Sequence, residues 1–118
     1  MAQATPVYAN SSGQILPVDV KNEVAVESMV GFTLYAIPSG AYGSVISGGR
    51  LENITTPFNI GDTLWINYDG SLTNVKPDLT VSGWTEGCFV IFVGVVVPNE
   101  FDSSQKDLQL CKELVGQL

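Results

Sequence analysis

The chain has 118 residues, enough for one domain with a core of its own. Five basic and twelve acidic residues leave a net charge of −7, and the basic ones are scattered, which argues against direct nucleic-acid binding because phosphate neutralisation needs clustered cations. There is no histidine, so Ser-His-Asp and Cys-His catalysis and imidazole metal ligation are excluded.

Charged residues make up only 14% of the chain against a hydrophobic share of 45%. An ordinary globular domain has about 25% charged residues. The surface is then either rich in uncharged polar residues or covered in part by other subunits. The first six residues, Met1-Ala2-Gln3-Ala4-Thr5-Pro6, have neither the basic nor the apolar region of a signal peptide. No apolar run approaches the ~20 residues that a transmembrane helix requires. The expectation is a protein made in a reducing cytoplasm, with Cys88 and Cys111 as free thiols and no contact with a membrane.

Residues 1–28 read as an extended N-terminal arm. Pro6 and Pro17 oppose regular structure, and Asn10-Ser11-Ser12-Gly13 is a turn cluster. Short extended pieces lie between them, Val7-Tyr8 and Ile15-Leu16. The segment is a ragged edge strand, an arm that orders on a neighbouring subunit, or disordered. Residues 29–118 read as a single β domain.

Residues 31–37 alternate as a strand and break at Pro38-Ser39-Gly40. A second strand over 42–46 pairs back as a hairpin, and residues 50–54 alternate polar and apolar. Gly61-Asp62-Thr63-Leu64-Trp65-Ile66-Asn67-Tyr68 follows, with Leu64, Ile66 and Tyr68 on the core side and Trp65 on the less buried side. Asp69-Gly70 turns the chain, since glycine accepts the positive φ of a tight hairpin, and Leu72 opens a short return strand. Residues 79–87 are loop-like and hold Trp84. The run over 89–97 is apolar on both faces, Phe92 and Val96 included, and must be covered on both. In a chain this small the second cover is expected from another subunit. The tail is ambiguous: Leu108 and Leu110 alternate as in a strand, while Ser104 and Gly116 could bound a helix. The strand is the favoured reading. The whole predicts an all-β fold, a small barrel or sandwich of about seven to nine strands with the arm attached.

Chemistry is scarce. Asp62, Asp69, Asp78 and Glu86 lie in or beside turns, and nothing selects a catalytic pair. Asn67-Tyr68-Asp69-Gly70-Ser71 lacks the acidic spacing of a calcium loop. No glycine pattern matches a phosphate cradle. No catalytic, metal or cofactor residue is expected. The candidate functional residues are therefore interface residues: Val7, Tyr8, Ile15 and Leu16 in the arm, Trp65 and Trp84 as aromatic anchors, and Phe92 and Val96 on the long strand. Trp65 and Trp84 could alternatively stack on sugar rings, as in a carbohydrate-binding module.

The order of these signals carries a resemblance. Gly31-Phe32-Thr33-Leu34-Tyr35-Ala36-Ile37 leads to Ser39-Gly40 and Gly43-Ser44-Val45. Gly61-Asp62-Thr63-Leu64-Trp65-Ile66, Asp69-Gly70-Ser71-Leu72-Thr73, Pro77 and Val93-Gly94-Val95-Val96 follow. Over residues 29–97 this resembles the small β domains of tailed-bacteriophage virion proteins: head decoration (cement) proteins, head fibres, and shaft domains of tail fibres and baseplates. The resemblance implies a structural virion protein, usually a homotrimer, with no catalytic residues. The stand-alone length is similar to that of a decoration protein on the major capsid protein lattice. A tail-fibre, head-fibre or baseplate component is the alternative.

Overall fold

Two antiparallel sheets face each other in the computed structural model, which describes residues 1–118. The strands are β1 (Pro6–Ala9), β2 (Ile15–Pro17), β3 (Met29–Thr33), β4 (Val45–Ile46), β5 (Gly49–Ile54), β6 (Thr63–Ile66), β7 (Leu72–Thr73), β8 (Phe89–Pro98) and β9 (Lys106–Gln117), with one short helix, α1 (Glu23–Glu27). The first sheet has four strands in the order β2-β1-β3-β4, the second has five in the order β5-β9-β8-β6-β7. The molecule is thin, 20 Å along its shortest axis and 41 Å along its longest. That is the thickness of two sheets packed about 10 Å apart with their outer side chains. The all-β fold read from the sequence, a barrel or a sandwich there, is a sandwich of two sheets.

The N-terminal segment is the main correction. Residues 1–28 are not an extended arm: the edge-strand reading holds for β2, and β1 is an interior strand of the first sheet. β1 lies between β2 and β3, pairing Val7 with Pro17 on one side and with Gly31 on the other. Val7, Val18, Val20 and Ala25 are fully buried. Pro17 sits at the end of an edge strand, and Pro6 opens β1, where a missing N–H costs least. The Asn10 side chain accepts from the amides of Ser12 (3.0 Å) and Gln14 (2.9 Å), which closes the β1–β2 hairpin. α1 is a single turn capped by Asn22, whose side chain accepts from Val24 (3.1 Å) and Ala25 (3.3 Å).

The core lies between the sheets. Phe32 comes from the first sheet, and Leu51, Leu64, Ile66, Ile91, Val93, Val96 and Leu108 come from the second, with Val18, Val20 and Val26 from the β2–β3 connection. Tyr68 does not join Leu64 and Ile66 there. β6 ends at Ile66, so the alternation stops and Tyr68 is 41% exposed, edge-on to Trp84 at 5.9 Å between ring centres. The Asp69-Gly70 hairpin forms as read: the Asn67 amide donates to the Ser71 carbonyl (2.7 Å) and the Gly70 amide to that of Asn67 (3.0 Å).

The tail is a strand. β9 runs beside β8 from Phe89↔Gln117 to Pro98↔Lys106. Two register shifts, at Val90/Ile91 and Phe92/Gly94, interrupt that ladder. They break the simple alternation expected for residues 89–97. Val90, Ile91, Val93 and Val96 are buried, while Phe89, Phe92, Val95 and Val97 are half-buried.

Candidate interaction surface

The candidate interface residues separate into three groups. Val7, Trp84 and Val96 are buried within the chain itself, so they cannot serve as contacts with another subunit. Val7 is enclosed because β1 is an interior strand, Val96 faces the core, and Trp84 is one of the core residues. Tyr8, Ile15, Trp65 and Phe92 are half-buried. Leu16, 38% exposed, is the one clearly open position.

Trp65 and Phe92 are cross-strand partners on β6 and β8 and pack edge-to-face at 5.6 Å between ring centres. The Lys76 ammonium stands 5.8 Å from the Trp65 ring centre, within the range of a cation–π contact. The chain thus supplies part of the second cover that β8 requires. Val90 is buried and borders a shallow cleft of about 380 Å³ formed with Lys76, Pro77, Leu79 and Val115.

A larger set of exposed apolar side chains lies outside these candidates. Tyr42 is fully exposed, and Phe101 nearly so. Val24, Tyr35, Leu114 and Val115 are at least half exposed. Composition left open a surface of uncharged polar residues or one covered by other subunits, and the place of these apolar side chains depends on which loops the strand order leaves outside. β9 also has an open edge: β5 pairs with it only as far as Leu110, so residues 111–117 have β8 on one side and no strand on the other. Lys112 and the register shifts against β8 blunt that edge.

The carboxylates are engaged locally. Asp69, Asp78 and Asp102 each accept the backbone amide and hydroxyl of the residue two ahead, Ser71, Thr80 and Ser104. These hydrogen bonds hold the three carboxyls below the usual carboxylate range. No group of three or more His, Cys, Asp or Glu side chains is placed to hold a metal ion. Cys88 is buried and Cys111 exposed, both as free thiols. A cleft of about 260 Å³ opens beside β1, between residues 2–6 and 54–58, lined by uncharged residues, Phe58 and Leu72 among them.

One polar cluster was not anticipated from the sequence. Arg50 of β5 donates to the buried Asp107 of β9 at 2.7 Å, to the Pro98 carbonyl at 2.8 Å and to Glu100 at 3.2 Å. Asp107 also accepts from the Asn53 amide (2.9 Å) and from the Asn99 side chain (3.0 Å). The two ion-pair partners are 57 residues apart, so no local pattern reveals them. Asn53 adopts φ 51°, a left-handed conformation that asparagine tolerates better than alanine. Its side chain is exposed, so the backbone decides the outcome of substitution. Asn53→Ala is expected to cost about 1 kcal/mol in urea unfolding, and Asn53→Gly nothing measurable.

Comparison with protein-family models, with curated proteins and with solved structures finds no match to this chain.

Proposed function

We propose that the chain is a structural protein of a tailed-bacteriophage virion, a homotrimeric decoration protein that binds the head shell and stabilises it. Two supports meet here: the ordered resemblance over residues 29–97, and a sandwich that leaves large apolar side chains in water. The second is the observation that carries the reading. Tyr42 and Phe101 are almost wholly exposed, and Val24, Tyr35, Leu114 and Val115 at least half so. Apolar surface of this extent fits a protein whose working state is an assembly. The mechanism is burial: shell and sister subunits cover these side chains, and the added contact area raises the barrier to shell opening.

The aromatic arrangement weighs against a carbohydrate-binding module. Trp84 is buried, and the Trp65 ring is engaged by Phe92 and Lys76. Only the half-buried Trp65 is left for a sugar to reach, and its ring is already approached by Lys76.

The reading is tested by adding the purified chain to phage heads stripped of decoration protein. Saturable uptake on the shell, with a rise in the temperature of head disruption, is the expected result. Absence of uptake under any assembly condition would overturn the placement on the head.

A further inference from the structure

None of the five basic and twelve acidic residues falls in residues 1–18 or 28–49. Those two segments contain all four strands of the first sheet, β1, β2, β3 and β4, with both of its hairpin connections. Every charged side chain therefore belongs to the second sheet, its loops, or the β2–β3 connection around α1. The topology converts two separate uncharged stretches into one uncharged sheet.

That sheet is not covered by the chain. Val30 on β3 and Leu16 on β2 are more than a third exposed. The β3–β4 loop, residues 34–44, holds Tyr35 at 65% exposure and Tyr42 with its whole side chain in water. Neither tyrosine side chain makes a hydrogen bond or ring contact within the chain. Meanwhile Ile37 anchors the middle of this loop in the protein.

We infer that this uncharged sheet, led by Tyr35 and Tyr42, is the face through which copies of the chain associate. The argument for a second copy is electrostatic. Each copy carries −7, so two copies repel wherever their acidic surfaces meet. The sheet carries no charged side chain, and the single charge beside it, the Met1 ammonium, is already held by the Ile37 carbonyl, so this face can approach its own kind without that repulsion and without desolvating a charged side chain. Interface cores are depleted in charge and enriched in tyrosine, whose rigid ring covers much area for little lost freedom. The inference deepens the assembly reading above and rests on it for the expectation that copies meet.

The test is the solution mass by light scattering on the full chain. The native protein should run at a multiple of 12.6 kDa. Raising salt to about 0.5 M should leave the assembly intact or tighter, because screening removes the residual repulsion. The Tyr35→Asp/Tyr42→Asp double variant should run as a monomer with an unchanged circular dichroism spectrum. Val115→Asp, on the open end of β9, should assemble as the native chain does. A native monomer at high micromolar concentration, a double variant that still assembles, salt-induced dissociation, or dissociation by Val115→Asp would each overturn the inference. Head binding separates the two ideas. Binding by a native monomer leaves the virion reading standing and this inference fallen; a native oligomer that ignores heads does the reverse.

Discussion

Asp107→Ala is expected to destabilise the fold by about 3 kcal/mol, a fall of roughly 10 °C in Tm for a domain of this size. The carboxylate is completely buried and accepts three hydrogen bonds, from Arg50, Asn53 and Asn99. Its removal takes the nearest partner from a guanidinium that is only about a quarter exposed, leaving it Pro98 and Glu100, and strands a backbone amide and a side-chain amide at once. Those donors come from β5 and from the β8–β9 connection, so the cluster fastens the edge strand to the long hairpin. Asp107→Asn keeps an acceptor but loses the charge and should cost less, about 1–2 kcal/mol. The same cluster sets a pH dependence. Burial opposes ionisation of Asp107, but the hydrogen bonds from Asn99, Asn53 and Arg50, with the Arg50 charge, outweigh it and hold the carboxyl below its ordinary value. A carboxyl lowered in the folded state binds its proton more readily when unfolded. Its contribution is therefore full above the unfolded value near 4 and disappears as pH falls through the folded one. Urea midpoints of the native chain should drop more steeply than those of Asp107→Asn on acidification below about pH 4. Parallel profiles would refute this role.

Most of the second sheet was legible in the sequence because its strands are long, alternating and bounded by strong turn residues. The Asp69-Gly70 hairpin and the buried pair Leu64 and Ile66 follow from local rules alone. β9 was ambiguous in isolation, and the ambiguity ends once β8, apolar on both faces, has to find a partner along its whole length. The first sheet was harder to read. β1 is four residues and β2 three, and neither shows a period long enough to register. β1 is ordered by pairing with β3, as in Pro6↔Phe32, and β2 by pairing with β1, which a local reading of Pro6 and Pro17 cannot see. That is why residues 1–28 looked like an arm. Three of the interface candidates were misplaced for the same reason: Val7, Trp84 and Val96 were judged by their neighbours in sequence and are buried by neighbours in space. The absence of charge in residues 1–18 and 28–49 was legible throughout, but it gains meaning only when the topology puts both stretches in one sheet.

Gly94→Ala is expected to cost about 3 kcal/mol, although it adds a single methyl group to a strand. Gly94 lies where β8 shifts register against β9. A Cβ at Gly94 would fall on the backbone carbonyl of Gln109 and crowd the Cα of Leu110. Backbone cannot turn aside as a flexible side chain could, so the two longest strands must separate where Leu108 and Leu110 enter the core. The same ladder supplies its own control. Gly116 pairs with Val90, and a Cβ there would meet nothing within 4 Å. Gly116→Ala should be neutral or stabilise by up to about 0.5 kcal/mol, since alanine has less backbone freedom to lose on folding. Urea unfolding of the two variants side by side tests the packing directly. A gap of about 3 kcal/mol identifies Gly94 as a point of backbone contact required by the sandwich. Equal midpoints would mean that β8 and β9 stand further apart at this position. The glycine in the Val93-Gly94-Val95-Val96 motif would then owe its place to something other than the fold.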